Sequence, residues 1–282
     1  MGTLYVVATP IGNLNDLSPR AIEILKDCDY ILVEDTRQTI KLLNHFNIKN
    51  KMVAYHKYNE KERVEGIIGD LNTGKNIALV SDAGTPCISD PGYILINTAR
   101  ENGIEILAVP GCSAVISALS VSGLDTSSFT FYGFVPTQNK QKKELFDEIR
   151  KSKVKTKVLY ESPKRILKLL TEIKCEIPGC VVCVCSELTK IHEKSIYGKI
   201  EEVYEVLSND SNALKGEYVV LISNDVIPNK EDSNTIESLL IDKMVKNDIS
   251  LKEAIDLLNE ENSDISKKDI YNAGLNLKNI LK

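Results

Sequence analysis

Several familiar catalytic signatures are missing from this 282-residue sequence. No G-x-x-x-x-G-K-[ST] run occurs, since Gly74-Lys75-Asn76 lacks both the first glycine and the hydroxyl, which argues against a P-loop nucleotidase. No G-x-G-x-x-G follows the first strand-like segment, which argues against a dinucleotide site. A G-x-S-x-G nucleophile elbow is absent as well. Histidine is scarce: only His45, His56 and His192 occur, without metal-ligand spacing, so a zinc hydrolase and any bound metal are not expected. No apolar run approaches the ~18–20 residues that span a bilayer. Met1-Gly2-Thr3-Leu4 runs straight into a strand-like segment, so neither a secretory signal nor membrane attachment is expected.

Seven cysteines are present, an odd number that fits a reduced, cytoplasmic protein better than a disulfide framework. Cys180-Val181-Val182-Cys183-Val184-Cys185 alternates like a buried strand. A metal knuckle would need a turn between its ligands and a second ligand pair, and neither is visible.

Hydrophobic residues make up 43% of the chain and charged residues 27%, enough to bury a core and to exclude a disordered chain. Short β-branched runs alternate with amphipathic stretches in the first half. Strands are expected at Leu4–Ala8, Tyr30–Val33, Met52–Tyr55, Asn76–Ser81 and Ile104–Val109, and helices at Thr36–Phe46 and Glu60–Leu71. Ser18-Pro19 and Asp90-Pro91 read as helix starts, a capping side chain followed by proline in the first turn. This is an α/β layer with mostly parallel strands. The second half predicts a mixed sheet, with strands at Thr130–Phe134, Lys157–Tyr160, Val181–Ser186, Ser195–Gly198 and Tyr218–Ile222. Helices are expected at Lys142–Lys151, Pro163–Lys174 and Ile200–Leu207. Ile227–Asp232 reads as a linker, followed by short helices at Thr235–Asn247, Ser250–Asn259 and Ser266–Leu281. Three segments result: an α/β lobe at 1–117, a second α/β lobe at 118–226, and a linker with a small helical tail at 227–282. The tail carries nine acidic and seven basic residues from Ser233 on, which favours a packing bundle over a DNA reader.

Lys and Arg total 35 against 40 Asp and Glu, a net charge of −5 and a poor global signal for nucleic acid. Locally the balance inverts. From Lys140 to Lys168, eleven basic residues face four acidic ones. Such a run is either a solvated face or a phosphate-tracking patch.

Three loops after expected strands are rich in Gly, Pro and small polar residues: Ala8-Thr9-Pro10-Ile11-Gly12-Asn13-Leu14, Ser81-Asp82-Ala83-Gly84-Thr85-Pro86-Cys87-Ile88-Ser89-Asp90-Pro91-Gly92, and Pro110-Gly111-Cys112-Ser113-Ala114. In an open α/β sheet, ligands bind beyond the carboxyl ends of the strands, where such loops converge. Together with Glu34-Asp35-Thr36-Arg37 and Glu161-Ser162-Pro163-Lys164-Arg165, these motifs in this order resemble the ribosomal small-subunit methyltransferase I family, within the tetrapyrrole-methylase-like class of S-adenosylmethionine enzymes. The resemblance runs from about residue 1 to 225. Where the family commonly carries a second histidine after Tyr-His, this sequence has Tyr58.

The resemblance implies two α/β lobes of the tetrapyrrole methylase type with the cofactor in the cleft between them, usually in a homodimer. It implies methylation of the ribose 2′-OH of a cytidine in the decoding region of 16S rRNA, position 1402 in the usual rRNA numbering. S-adenosyl-L-methionine would be contacted by Pro10, Asp82, Gly84, Thr85, Ser113 and Ala114 from the first lobe, and by Tyr160, Leu188 and Gly216 from the second. The chemistry needs alignment, dryness and at most a late proton acceptor. Glu161 and Lys164 are the candidates for catalysis, with Glu187 and His56 as further proton acceptors. Arg37 and Arg165 suit bidentate phosphate contacts, although Arg37 can equally pair with Glu34 or Asp35. Lys190 and His56 are further candidates for RNA contact. Two other readings stay open. One keeps the cofactor but methylates a small tetrapyrrole or a protein side chain. The other is a non-catalytic RNA-binding assembly factor.

Overall fold

A computed structural model describes residues 1–223, 236–247, 249–261 and 266–280. The chain divides into two compact units, Met1–Asp225 and Val226–Lys282. The expected linker at 227–232 lies outside the described residues.

The β-branched runs of the first half form five strands: β1 (Thr3–Val7), β2 (Tyr30–Val33), β3 (Met52–Ala54), β4 (Ile77–Leu79) and β5 (Glu105–Val109). They pair in the order β3-β2-β4-β1-β5, and every ladder is parallel. Parallel pairing needs crossovers, supplied by α1 (Pro19–Asp27), α2 (Thr36–His45), α3 (Glu60–Asn72) and α4 (Tyr93–Glu101). Alternation along the strands splits the core. Leu4, Leu32 and Leu79 meet Ile67, Leu71 and Leu95 of α3 and α4 on one face. Val7, Ile31 and Val33 meet Leu25 and Leu43 of α1 and α2 on the other. The sheet is therefore covered on both sides, as an all-parallel sheet must be.

Ser18 caps α1 as expected, its Oγ accepting from the Ala21 amide at 3.2 Å with Pro19 in the first turn. Asp90 does not cap α4. That helix starts later, at Tyr93, with Gly92 at the N-cap and no capping bond from its own side chain. Glu60 on α3 supplies the acceptor instead: its Oε1 accepts from the Gly92 amide at 2.9 Å and the Ile94 amide at 3.3 Å. Asp90 is thereby left for the cavity described below.

The second lobe contains α5 (Ala114–Val121), β6 (Phe129–Phe134), α6 (Asn139–Lys151), β7 (Thr156–Glu161), α7 (Ile166–Glu176), β8 (Val181–Ser186), β9 (Lys194–Lys199), α8 (Ile200–Ser208) and β10 (Tyr218–Ser223). Its sheet, β6-β7-β10-β8-β9, is mixed: β6 and β7 are parallel and the other pairs antiparallel. All of β8 is buried. Val182 and Val184 pack with the cluster that α6, α7 and α8 contribute to. Cys183 and Cys185 face α5, whose Val115, Ala118 and Leu119 pack on this second sheet. The boundary expected at 117/118 thus falls inside a helix that packs with the second lobe. The expected start of α7 at Pro163 also moves, to Ile166, because residues 162–165 form a turn first.

The second unit holds α9 (Ile236–Asn247), α10 (Leu251–Glu261) and α11 (Lys267–Ile280). Its core is Leu240, Ala254, Leu258, Ile270, Ala273 and Leu277. Ser250 and Glu253 form a reciprocal capping box, the Ser250 amide donating to Glu253 Oε2 at 2.8 Å and the Glu253 amide to Ser250 Oγ at 3.4 Å. Among the described residues no helix is long and apolar enough to cross a membrane.

Candidate active site

The three small-residue loops leave β1, β4 and β5 at the same end of the first sheet, the carboxyl end of adjacent parallel strands. Their backbones are stitched together. Thr9 and Gly84 exchange amide-to-carbonyl bonds at 2.8 and 3.0 Å, joining the first loop to the second. Thr85 Oγ1 donates to the Cys112 carbonyl at 2.9 Å, joining the second to the third. The Asp35 amide, at the start of α2, donates to Asp82 Oδ1 at 3.0 Å. Loops of Gly and Pro are thus held as a rigid platform rather than as mobile connections.

Above this platform lies a cavity of ≈ 600 Å³, walled by both lobes of the first unit. Volumes of this order hold small-molecule ligands and cofactors. The first lobe contributes Glu34, Asp82, Gly84, Thr85, Asp90 and Ser113, and the second contributes Ala114, Phe134, Tyr160, Glu161, Glu187, Leu188 and Gly216. Ile11 and Val219 add apolar surface.

Three carboxylates crowd the first-lobe side. Burial raises the pKa of Glu34, and the charges of Asp90, Asp82 and Asp35 raise it further. Asp90 is raised by burial and then by Asp82, against a hydrogen bond from Ser81. Burial also raises Asp82, opposed by its bond from the Asp35 amide. A cation placed among them would be attracted by all three and would relieve their mutual repulsion. On the second-lobe side the wall is aromatic. The Tyr160 ring meets Phe131 and Phe134 edge-on at 4.8 and 5.4 Å. Burial, reinforced by the Asp90 charge, pushes the Tyr160 phenol up to about 12, so it stays protonated at neutral pH.

Glu161 ends β7 with its side chain only 2% exposed. Its Oε1 accepts from the Arg165 guanidinium at 2.6 Å and from the Ser162 amide at 2.6 Å. Arg165 also donates to Ser162 Oγ at 3.2 Å and to the Val135 carbonyl at 3.3 Å. Its fork is therefore occupied inside the protein, where a phosphate clamp was expected. Glu187 adopts a left-handed backbone, φ 52°, and its Oε1 accepts from Lys190 Nζ at 2.9 Å. Gly216, at φ 86°, leaves the room for this: a Cβ there would sit 2.3 Å from Glu187 Oε1.

Of the expected cofactor positions, Asp82, Gly84, Thr85, Ser113, Ala114, Tyr160, Leu188 and Gly216 line this one cavity; Pro10 is buried outside its lining. Glu161 and Lys190 line it too, and Lys164, Arg37, Arg165 and His56 do not. Lys164 points out into solvent from the turn before α7. Arg37, 87% exposed, pairs with Asp35 at 2.7 Å rather than with Glu34. The His56 ring lies edge-on to Tyr58 at 6.1 Å, and its Nδ1 is buried without a hydrogen-bond partner. Glu34 and Phe134 line the cavity without having been singled out for it. The signal was available, since each stands at the carboxyl end of its strand, where the loop rule already applied.

Three basic residues of the run are held in ion pairs, two of them with acidic residues of α7 that lie beyond it. Lys142 pairs with Glu172 on α7 at 2.7 Å, Arg150 with Asp147 and Glu176, and Arg165 with Glu161. Lys157 is fully buried. The exposed remainder includes Lys140, Lys143, Lys151 and Lys153.

Comparison with known proteins agrees with this architecture. Residues 3–204 match the family model of the Tetrapyrrole (Corrin/Porphyrin) Methylases. Diphthine synthase shares the fold at TM-score 0.63 and 14% identity, over 79% of this chain and 90% of that one. Uroporphyrin-III C-methyl transferase from Thermus thermophilus, solved in complex with S-adenyl homocysteine, does so at TM-score 0.53 and 16% identity, over 80% and 99%. Likeness in sequence is far greater to two proteins named Ribosomal RNA small subunit methyltransferase I. The one from Halalkalibacterium halodurans is 42% identical over 275 residues, covering 96% of this chain and 94% of that protein. The one from Escherichia coli O157:H7 is 37% identical over 275 residues, covering 97% and 95%. With the family model spanning both lobes and such relatives spanning nearly the whole chain, the chain belongs to the tetrapyrrole methylase family and, within it, to the ribosomal RNA small subunit methyltransferase I family.

Proposed function

We propose that this protein is an S-adenosylmethionine-dependent methyltransferase of the small-subunit ribosomal RNA, and that its acceptor is the ribose 2′-oxygen of a cytidine in the decoding region, position 1402 in the usual rRNA numbering. The observation that carries the reading is the inter-lobe cavity, where nearly all the positions expected to hold the cofactor share one wall system. Support for the acceptor comes from the names of the relatives and from the ordered motifs at Glu34–Arg37 and Glu161–Arg165.

The residues fit such a cofactor. Small residues and stitched backbone at Gly84, Thr85, Ser113 and Ala114 admit a folded nucleoside closely. Leu188, Val219 and the Tyr160 ring offer apolar surface to an adenine. Glu34, Asp82 and Asp90 complement positive charge. S-adenosylmethionine, when bound, supplies an electrophilic methyl group on a sulfonium. The protein's task is then alignment and exclusion of water. The stitched loops hold the first-lobe wall still, and the Glu161–Arg165 pair fixes the turn that bounds the cavity from the second lobe. Glu161 is 2% exposed and holds both the Arg165 guanidinium and the Ser162 amide on Oε1, so within this reading it serves chiefly to position that turn, whereas Glu187, 28% exposed and paired with Lys190, stands as the carboxylate for a ribose hydroxyl. Lys164, exposed outside the cavity, has no part in the transfer itself.

The test is transfer of tritium from labelled S-adenosylmethionine to small ribosomal subunits lacking ribose methylation, with mass mapping of the product. Methyl on the cytidine 2′-oxygen, reduced in Asp82→Ala, is the expected result. Cofactor binding without transfer to RNA would move the acceptor to a tetrapyrrole or a protein. Absence of cofactor binding would leave an RNA-binding factor.

A further inference from the structure

A second cavity, of ≈ 530 Å³, shares Glu187 and Lys190 with the first as a common wall. Its character is different. Among the described residues Glu187 is its one carboxylate; Asn13, Asn15, His45, Thr189 and His192 line it, with Leu14 and Ile191 as apolar members. The first cavity collects carboxylates suited to a cation, whereas the second collects amide, imidazole, hydroxyl and ammonium groups suited to phosphate and sugar oxygens. Ile191 is 97% exposed, although the loop carrying it is tightly held.

That loop is built under strain. Glu187 and Thr189, neither of them glycine, both take left-handed backbones, φ 52° and 67°. The Thr189 amide donates to Glu193 Oε2 at 2.7 Å, the Lys190 amide to the Glu187 carbonyl at 2.9 Å, and the Glu193 amide to the Lys190 carbonyl at 3.0 Å. It presses directly on the first loop: a Cβ at Gly12 would lie 2.6 Å from Lys190 Cγ and 2.9 Å from Thr189 Oγ1. Despite this packing, Thr189 Oγ1 is buried without a hydrogen-bond partner. A strained, over-determined loop with an orphaned hydroxyl beside a polar cavity is what a preorganised ligand site requires.

We infer that this second cavity seats the acceptor nucleotide, a ribose-phosphate unit of single-stranded RNA, with its 2′-hydroxyl turned toward the Glu187–Lys190 wall. The inference rests on the proposed RNA acceptor and adds where that acceptor lies. Histidine, asparagine and Lys190 donors meet the phosphate and sugar, and Leu14 and Ile191 cover a face of the unstacked base. Transfer needs the 2′-oxygen in direct contact with the methyl group, so the two ligands must meet where the Glu187–Lys190 pair borders both cavities.

Two measurements on the full chain test it. In the first, Asn15→Asp, His192→Ala and Thr189→Val are compared with wild type for KM toward unmethylated small subunits and for S-adenosylhomocysteine binding by calorimetry. The expected result is a KM raised about tenfold or more, as loss of a charge-assisted contact implies, with S-adenosylhomocysteine affinity unmoved. In the second, wild type is irradiated on the subunits, digested with trypsin, and the cross-linked peptides are sequenced by mass spectrometry. The target nucleotide should be found on the peptide Ile191-His192-Glu193-Lys194. If wild type methylates the RNA while the variants keep their KM, or while the cross-link maps elsewhere, the subsite is wrong and the function stands. If wild type neither methylates nor cross-links the RNA, the acceptor class fails and takes the subsite with it.

Discussion

Glu60 and Gly92 are joined across the first lobe: the Glu60 carboxylate, at the start of α3, accepts the Gly92 amide at 2.9 Å. The same Oε1 accepts from the Tyr55 hydroxyl at 2.8 Å and the Ile94 amide at 3.3 Å, and Glu60 is buried. A side chain of α3 therefore caps α4 and holds the end of the loop that carries Asp82, Gly84 and Asp90 into the cavity. Glu60→Ala would leave a hydroxyl and an amide buried without an acceptor, a loss of about 2–4 kcal/mol of stability. Glu60→Gln keeps a carbonyl in place and should cost about half as much. Urea unfolding reads the difference, and equal stability of Glu60→Ala and wild type would remove Glu60 from this role.

The pair Glu161–Arg165 predicts asymmetry between its partners. Arg165→Ala strands a carboxylate that is only 2% exposed and should destabilise by about 2–4 kcal/mol. Pairing it with Glu161→Gln removes the stranded charge, so the double variant should recover part of the loss. A double-mutant cycle by chemical denaturation measures the coupling. Strictly additive losses would mean that the ion pair does not fix the turn.

These relationships mark how far the sequence could be read. Tyr30–Val33 and Val181–Ser186 were legible to the residue because apolar β-branched strands buried on both faces stand out from their neighbours. The cavity was largely legible too, because loops rich in glycine at strand ends have few other reasons to be there. Asp90-Pro91 misled because a local Asp-Pro pattern looks like a cap whether or not a distant residue has taken the task, and Glu60 lies 32 positions from the Gly92 amide that it accepts. The basic run shows the same limit in part. Its count of charges includes no partner from outside it, yet Glu172 and Glu176 on α7 neutralise Lys142 and Arg150.

Two glycines separate backbone strain from steric exclusion. Gly216 and Gly179 both adopt left-handed conformations, φ 86° and 71°, so alanine at either should cost about 1 kcal/mol. Around Gly179 a new Cβ meets nothing within 4 Å, whereas at Gly216 it meets Glu187 Oε1 at 2.3 Å. Gly216→Ala must therefore displace Glu187 from the wall between the two cavities. Both variants should melt a few degrees early, and Gly216→Ala alone should lower kcat/KM, by about tenfold or more. Equal activity in the two would show that the Glu187 position is not critical.

The acidic side of the cavity makes ligand binding and stability depend on pH in opposite ways. Burial and mutual repulsion raise the folded pKa values of Glu34, Asp82 and Asp90 above their unfolded ones. Above about pH 4 the unfolded chain has released protons that the folded chain still holds, so stability of the free protein falls as pH rises through that window. Once the pH exceeds the folded values the loss is complete and levels off. A cationic ligand inverts the preference by favouring the ionised carboxylates. Binding of S-adenosylmethionine should then release protons at mildly acidic pH, release none once the three groups are already ionised, and tighten with pH between those limits. Calorimetry in buffers of different ionisation enthalpy measures the protons directly. Asp82→Asn should reduce the release without abolishing it, since Glu34 and Asp90 remain. Binding that releases no protons at any pH would mean that the three carboxylates do not face the cation.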